Sequence, residues 1–194
     1  MVKRFAIVLA LMAGCVFISS ALPISQSNLH LGMRYTEMVA RADIMVENKF
    51  PEWYVEDVPF SRNIDTSTNH FASAYKTDEG TFHITLYDLA LNLKTVEDLA
   101  SVLLHEYVHV KIWNDLEKAI PEEECNSAVH EMTAYGVEIE QTRFPISQSL
   151  RLSSQIGYNM NYFMGIVSCP IDIMVDFPFP TGDWLNASGD WLNE

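Results

Sequence analysis

The chain has 194 residues, enough for one domain with a real core and few for a second. Its 48% hydrophobic and 20% charged content is that of a globular protein and excludes a disordered one. The formal charge of −14 argues against nucleic acid and anionic membrane as partners; it permits basic substrates without requiring them.

Residues 1–21 read as an export signal, with Lys3 and Arg4 as the charged start and Phe5 to Ile18 as the apolar core. Two processing routes stay open. Ser19-Ser20-Ala21 suits ordinary signal cleavage, whereas Leu11-Met12-Ala13-Gly14-Cys15 resembles a lipobox with Cys15 as the lipidated residue. The mature protein is then secreted, periplasmic or a membrane-anchored lipoprotein, and only a lipid on Cys15 would attach it to a membrane. Residues 25–175 make up a single domain, and 176–194 an irregular tail.

Ser25 to Asn28 is a polar lead-in to an amphipathic helix through Tyr35, Met38, Val39, Ala42, Met45 and Val46, ending near Asn48. Phe50-Pro51 stops it, and Trp53-Tyr54-Val55 reads as a short strand. Asp65 to Asn69 is a turn or loop. A hairpin follows, His70–Lys76 against Thr81–Tyr87 around Thr77-Asp78-Glu79-Gly80, with Phe82, Ile84 and Leu86 on one face of its second strand. Thr95 is a good N-cap for the next helix, with Asp98 as a capping-box partner, and Pro121 is its latest end. Pro121 also suits the first turn of a further helix running to about Arg143. Ser147 to Tyr158 is one more helix, and from Ser168 the chain reads as irregular. The tail repeats Gly-Asp-Trp-Leu-Asn at 182–186 and 189–193, too few copies for a repeat fold. Asn186-Ala187-Ser188 is a glycosylation sequon, relevant only in a eukaryotic secretory pathway. The expected class is α+β: a small antiparallel sheet containing Thr81–Tyr87 packed on a long helix, with a mostly helical second half.

That long helix carries the densest chemistry, His105-Glu106-Tyr107-Val108-His109. Histidines four apart share one helix face. At roughly 100° per residue, Glu106 projects about 60° from His109. This is the arrangement of a hydrolytic zinc site: two imidazole ligands, with a carboxylate beside the metal-bound water. Leu99, Val102, Leu103, Leu104, Val108 and Val110 make the helix apolar nearly all round, so it is buried. Burial of His105, Glu106 and His109 is costly unless something pairs with them.

Catalytic zinc usually takes a third protein ligand. Residues 110–120 hold no histidine, and a Glu from the following helix is the other common solution. Glu131 is well placed, because Ser127, Ala128 and Ala134 one turn away let that face approach another helix closely; the alternative is an ordinary helix carboxylate. Glu138, two turns on, either orients a ligand histidine or is solvated, the second being the favoured reading. Cys125 and Cys169 either form a disulfide or stay as buried thiols.

From about Thr81 to Gln141 the chain resembles the glutamate-type zincins, the thermolysin-like superfamily of zinc metallopeptidases. The resemblance implies one Zn²⁺ held by His105, His109 and Glu131, with Glu106 as general base. It implies a peptide or protein substrate lying along Thr81–Tyr87 as edge strand. The separate transition-state donor of that group is not marked by a motif here; His130, Tyr135 and Tyr158 are the candidates. The rival readings are a zinc-binding module without turnover and a helical protein in which the motif is accidental.

Overall fold

The structure, a computed structural model, describes residues 26–63, 70–120 and 122–174. The export signal, the Asp65–Asn69 turn, Pro121, the sequon and the repeated tail motif lie outside them. By internal contacts the chain divides into two units, Met1–Glu37 and Met38–Glu194. The described part of the first is the beginning of helix α1 (Gln26–Lys49). All that follows concerns the second.

Its elements after α1 are β1 (Phe60–Asn63), β2 (Ala72–Lys76), β3 (Phe82–Tyr87), α2 (Asp88–Leu91), α3 (Val96–Ala119), α4 (Glu123–Glu140), α5 (Gln148–Ser168) and α6 (Ile171–Met174). The architecture is therefore mixed α and β, a small three-stranded sheet with a helical second half. Two details of the sheet differ from expectation. It is not wholly antiparallel, because β1 pairs parallel with β3 while β2 pairs antiparallel with it. The order is β1-β3-β2, so Phe82–Tyr87 is the central strand and not an edge. The hairpin itself forms as read: Gly80 takes φ 83°, a left-handed turn conformation that suits glycine, and its N–H reaches Thr77 O at 2.9 Å. Ile84 and Leu86 are buried on the expected face.

Trp53-Tyr54-Val55, which reads as a short strand in the sequence, is not one, and the third strand of the sheet is Phe60–Asn63. Phe50 turns the chain back through Trp53 N and Tyr54 N, which both donate to its carbonyl, and the Tyr54 ring packs at a tilt against Tyr107 instead of the strand pairing. Other boundaries move as well. Gln26 to Asn28 is already helical, and Asp88–Leu91 is a short helix. Helix α4 starts at Glu123, after Pro121, and stops at Glu140, three residues before Arg143. Helix α5 runs ten residues beyond Tyr158.

Helix α3 is the centre of the molecule, with β2 on one side and α4 on another, and α5 against α4. Residues 101–110 are all buried, as an apolar circumference requires. Each large apolar side chain so buried contributes about 1.5–3 kcal/mol. Thr95 caps the helix, its side chain accepting from Asp98 N at 3.0 Å. The Asp98 carboxylate instead accepts from Ser147 N at 2.7 Å, tying the start of α3 to the start of α5. Tyr107 donates to Asp43 of α1 at 2.5 Å, which positions the His-bearing turn from the opposite side. A disulfide joins Cys125, in the first turn of α4, to Cys169 at the end of α5. It closes a core cluster with Val129, Met132, Tyr158, Tyr162 and Met174.

Candidate metal centre

His105 and His109 lie one turn apart on α3, and Glu131 reaches them from α4. Glu131 Oε2 is 3.5 Å from His105 Nε2, and Glu131 Oε1 is 3.6 Å from His109 Nε2. The two Nε2 atoms are 3.0 Å apart. One ligand atom from each of the three residues lies within 4.8 Å of the others, so the group could hold a metal ion. The donor set fits one for a physical reason. Two buried imidazoles, 8% and 9% exposed, turn the same nitrogen toward each other and toward a carboxylate. Something positive must sit between them, either a metal ion or the proton that His105 holds in its absence, because bare basic lone pairs side by side in low dielectric are costly.

Glu106, 5% exposed, is on the same cleft but outside the three-atom cluster, and it accepts from the backbone of Ala74 in β2. Burial, helped by the negative charges of Glu131 and Glu138 and opposed by His105, pushes its carboxyl up to about 7. That is the range of a group able to take and return a proton near neutrality. The imidazoles diverge. Burial lowers His105, but Glu131 and Glu138 outweigh it and raise the ring to about 10. Burial and the neighbouring His105 charge depress His109 to about 3. Glu131 stays below the ordinary carboxylate range, because the histidines overcome its own desolvation.

Glu138 is not solvated, contrary to the favoured reading from sequence. It is 3% exposed, with Oε2 3.4 Å from His105 Nδ1 and Oε1 accepting from Ser101 Oγ at 3.0 Å. The seven-residue spacing from Glu131 puts it on the same face of α4, two turns deeper, where α3 covers it. Ser101 was not foreseen; its place one turn before His105 is the only signal it carries. Of the three donor candidates, Tyr135 and His130 line the cleft and Tyr158 does not, being part of the core cluster. The Tyr135 ring is 4.4 Å from that of His105. Gly157 makes room for it: a Cβ there would sit 2.4 Å from Tyr135 Cζ. His130 stacks on His109 and meets the edge of Trp113. His83 stacks on Tyr75 and is not among the lining residues.

The cleft has a volume of about 550 Å³. Residues 70–74, running into β2, form one wall, and α4 with the start of α5 forms another. The strand beside the site is thus β2, an edge strand, in place of the expected Thr81–Tyr87.

No known protein family, no curated protein and no solved structure matches this chain. The geometry stands alone.

Proposed function

We propose that this chain is an exported zinc metallopeptidase of zincin-like fold. In this reading His105, His109 and Glu131 hold one Zn²⁺, and Glu106 is the general base. The observation that carries it is a buried, unligated carboxylate on the same cleft as three convergent ligand atoms. A site that served only to retain metal would have no use for Glu106. Zinc, when bound, supplies Lewis acidity toward a peptide carbonyl and acidifies a water.

The chain's own residues do the rest. The Glu106 carboxylate takes a proton from the attacking water and delivers it to the leaving amine nitrogen. Its burial beside the ligand atoms keeps bulk water from competing for that proton. The outer edge of β2, with Ala72 and Ala74 on the cleft, offers an extended peptide its backbone groups other than the Ala74 N–H, which Glu106 engages. Tyr135 and His130, which line the cleft, are in this reading the donors to developing negative charge. Glu138, held by Ser101, orients the His105 ring from its Nδ1 side. The Cys125–Cys169 bond supports export, since structural disulfides persist in oxidising compartments.

The test is zinc content by mass spectrometry beside hydrolysis of a general protein substrate, for the wild type and for Glu106→Gln. Glu106→Gln keeps the ligands and the side-chain volume, so zinc stays bound while hydrolysis falls by about 10²–10⁴-fold. Zinc binding with no hydrolysis by the wild type would leave a binding module in place of an enzyme. Absence of bound zinc would remove the reading altogether.

A further inference from the structure

Helix α5 has two apolar faces, and its own fold covers one. Leu150, Ser154, Tyr158, Tyr162 and Gly165 are buried. About 180° round the helix, Leu152, Ile156, Met160, Phe163, Met164 and Val167 are exposed, from 47% at Leu152 to 83% at Val167. They form one stripe about 22 Å long, at the rise of an α-helix. Taking about 200 Å² for a large apolar residue, their exposed surface is roughly 700 Å². The largest apolar patch on a typical monomer is about 300–600 Å². Each partner in a standard interface contributes about 800 Å².

The stripe is also self-complementary. Leu152 and Val167 are equidistant from a point between Asn159 and Met160, and so are Ile156 and Phe163. If two copies pack antiparallel about that point, Leu152 of each meets Val167 of the other, and Ile156 of each meets Phe163. Every contact then occurs twice, as a two-fold interface requires. Charge favours this occupant over a lipid surface. Arg151 is the only charged residue of α5, and its guanidinium is engaged by Ile139 O at 3.0 Å. The seam therefore brings no like charges together although each chain carries −14. A helix lying on anionic headgroups needs flanking Lys and Arg, which α5 lacks. Among the described residues, no helix is long and apolar enough to cross a membrane.

We infer that α5 is the interface of a homodimer, two copies packing antiparallel across this stripe.

Sedimentation velocity of the purified protein over the micromolar range tests it, and the expected species is a dimer that dissociates on dilution. The double variant Ile156→Glu, Phe163→Glu places carboxylates that stay in water in the monomer but face the apolar seam in the dimer. It should sediment as a monomer with an unchanged circular dichroism spectrum. Met160→Cys, beside the axis, should give a covalent dimer on mild oxidation, whereas Leu152→Cys should not, since its counterpart is Val167. Four results would overturn the proposal. The wild type could be monomeric throughout, or its dimer could survive the double variant. A monomer could bind phosphatidylcholine–phosphatidylglycerol vesicles through this face. Removal of residues 175–194 could turn a monomer into a dimer, which would make the tail the occupant.

Discussion

The metal-free protein should hold a proton on His105 well into alkaline solution. The structure sets the size of the effect: with Glu131 on one side of the ring and Glu138 on the other, its pKa is raised from 6.5 to about 10. At pH 8 the ring would then be about 99% protonated, against about 3% for an unperturbed histidine. A metal must displace this proton, which at pH 7 costs on the order of 4 kcal/mol. Apparent zinc affinity should therefore rise about tenfold per pH unit from 6.5 to 9, where an ordinary imidazole would level off. Two measurements check this: an NMR titration of the imidazole resonances in the metal-free protein, and zinc competition against a chromophoric chelator across the same range. The sign for stability follows from linkage. Because the folded pKa is raised, the contribution of His105 is fully present below pH 6.5 and is lost as pH rises through about 10. A His105 midpoint near 6.5, with zinc affinity flat above it, would refute the pairing with both carboxylates.

Other outcomes follow from the same contacts. Glu131→Ala, His105→Ala and His109→Ala each remove a ligand atom, so zinc content and hydrolysis should fall together, unlike Glu106→Gln; full retention of both by Glu131→Ala would place the third ligand elsewhere. Glu138→Gln should weaken zinc binding by about 10–100-fold, with Ser101→Ala acting in the same direction and less, as chelator competition would show. Cys125→Ser with Cys169→Ser opens a loop of 44 residues' separation. By loop-closure entropy it should lower stability by about 4 kcal/mol in denaturant unfolding.

Local signals in the sequence were legible where one residue carries its own structural consequence. Thr95 announces a helix start because its hydroxyl can satisfy an orphan N–H, and Gly80 marks a turn because it tolerates positive φ. The His-Glu-x-x-His turn was legible because helical spacing alone puts the two rings on one face. Glu131 depended on a second helix approaching, which its small neighbours allowed for. What stayed hidden depends on distant partners. Phe60-Ser61-Arg62-Asn63 has no alternation to mark it as a strand; it is one because β3 offers an open edge. That same parallel pairing makes β3 central and leaves β2 as the strand at the cleft. The length of α5 was obscured because its apolar residues surround the helix, some buried and more of them exposed, which blurs the period. Glu138 looked like a surface carboxylate because nothing local reports that α3 lies over it.

The disulfide partitions the ligands by connectivity. The loop it closes, from Cys125 to Cys169, contains Glu131 and Glu138, while His105 and His109 lie outside it. A break in the backbone between α3 and α4 would separate the histidines from the carboxylates into two polypeptides with no covalent link. A break between α4 and α5 would leave every one of those residues in a single bonded molecule. Of the two connections, only the first, where Glu122 is exposed, is a place where one cut could take the ligand set apart.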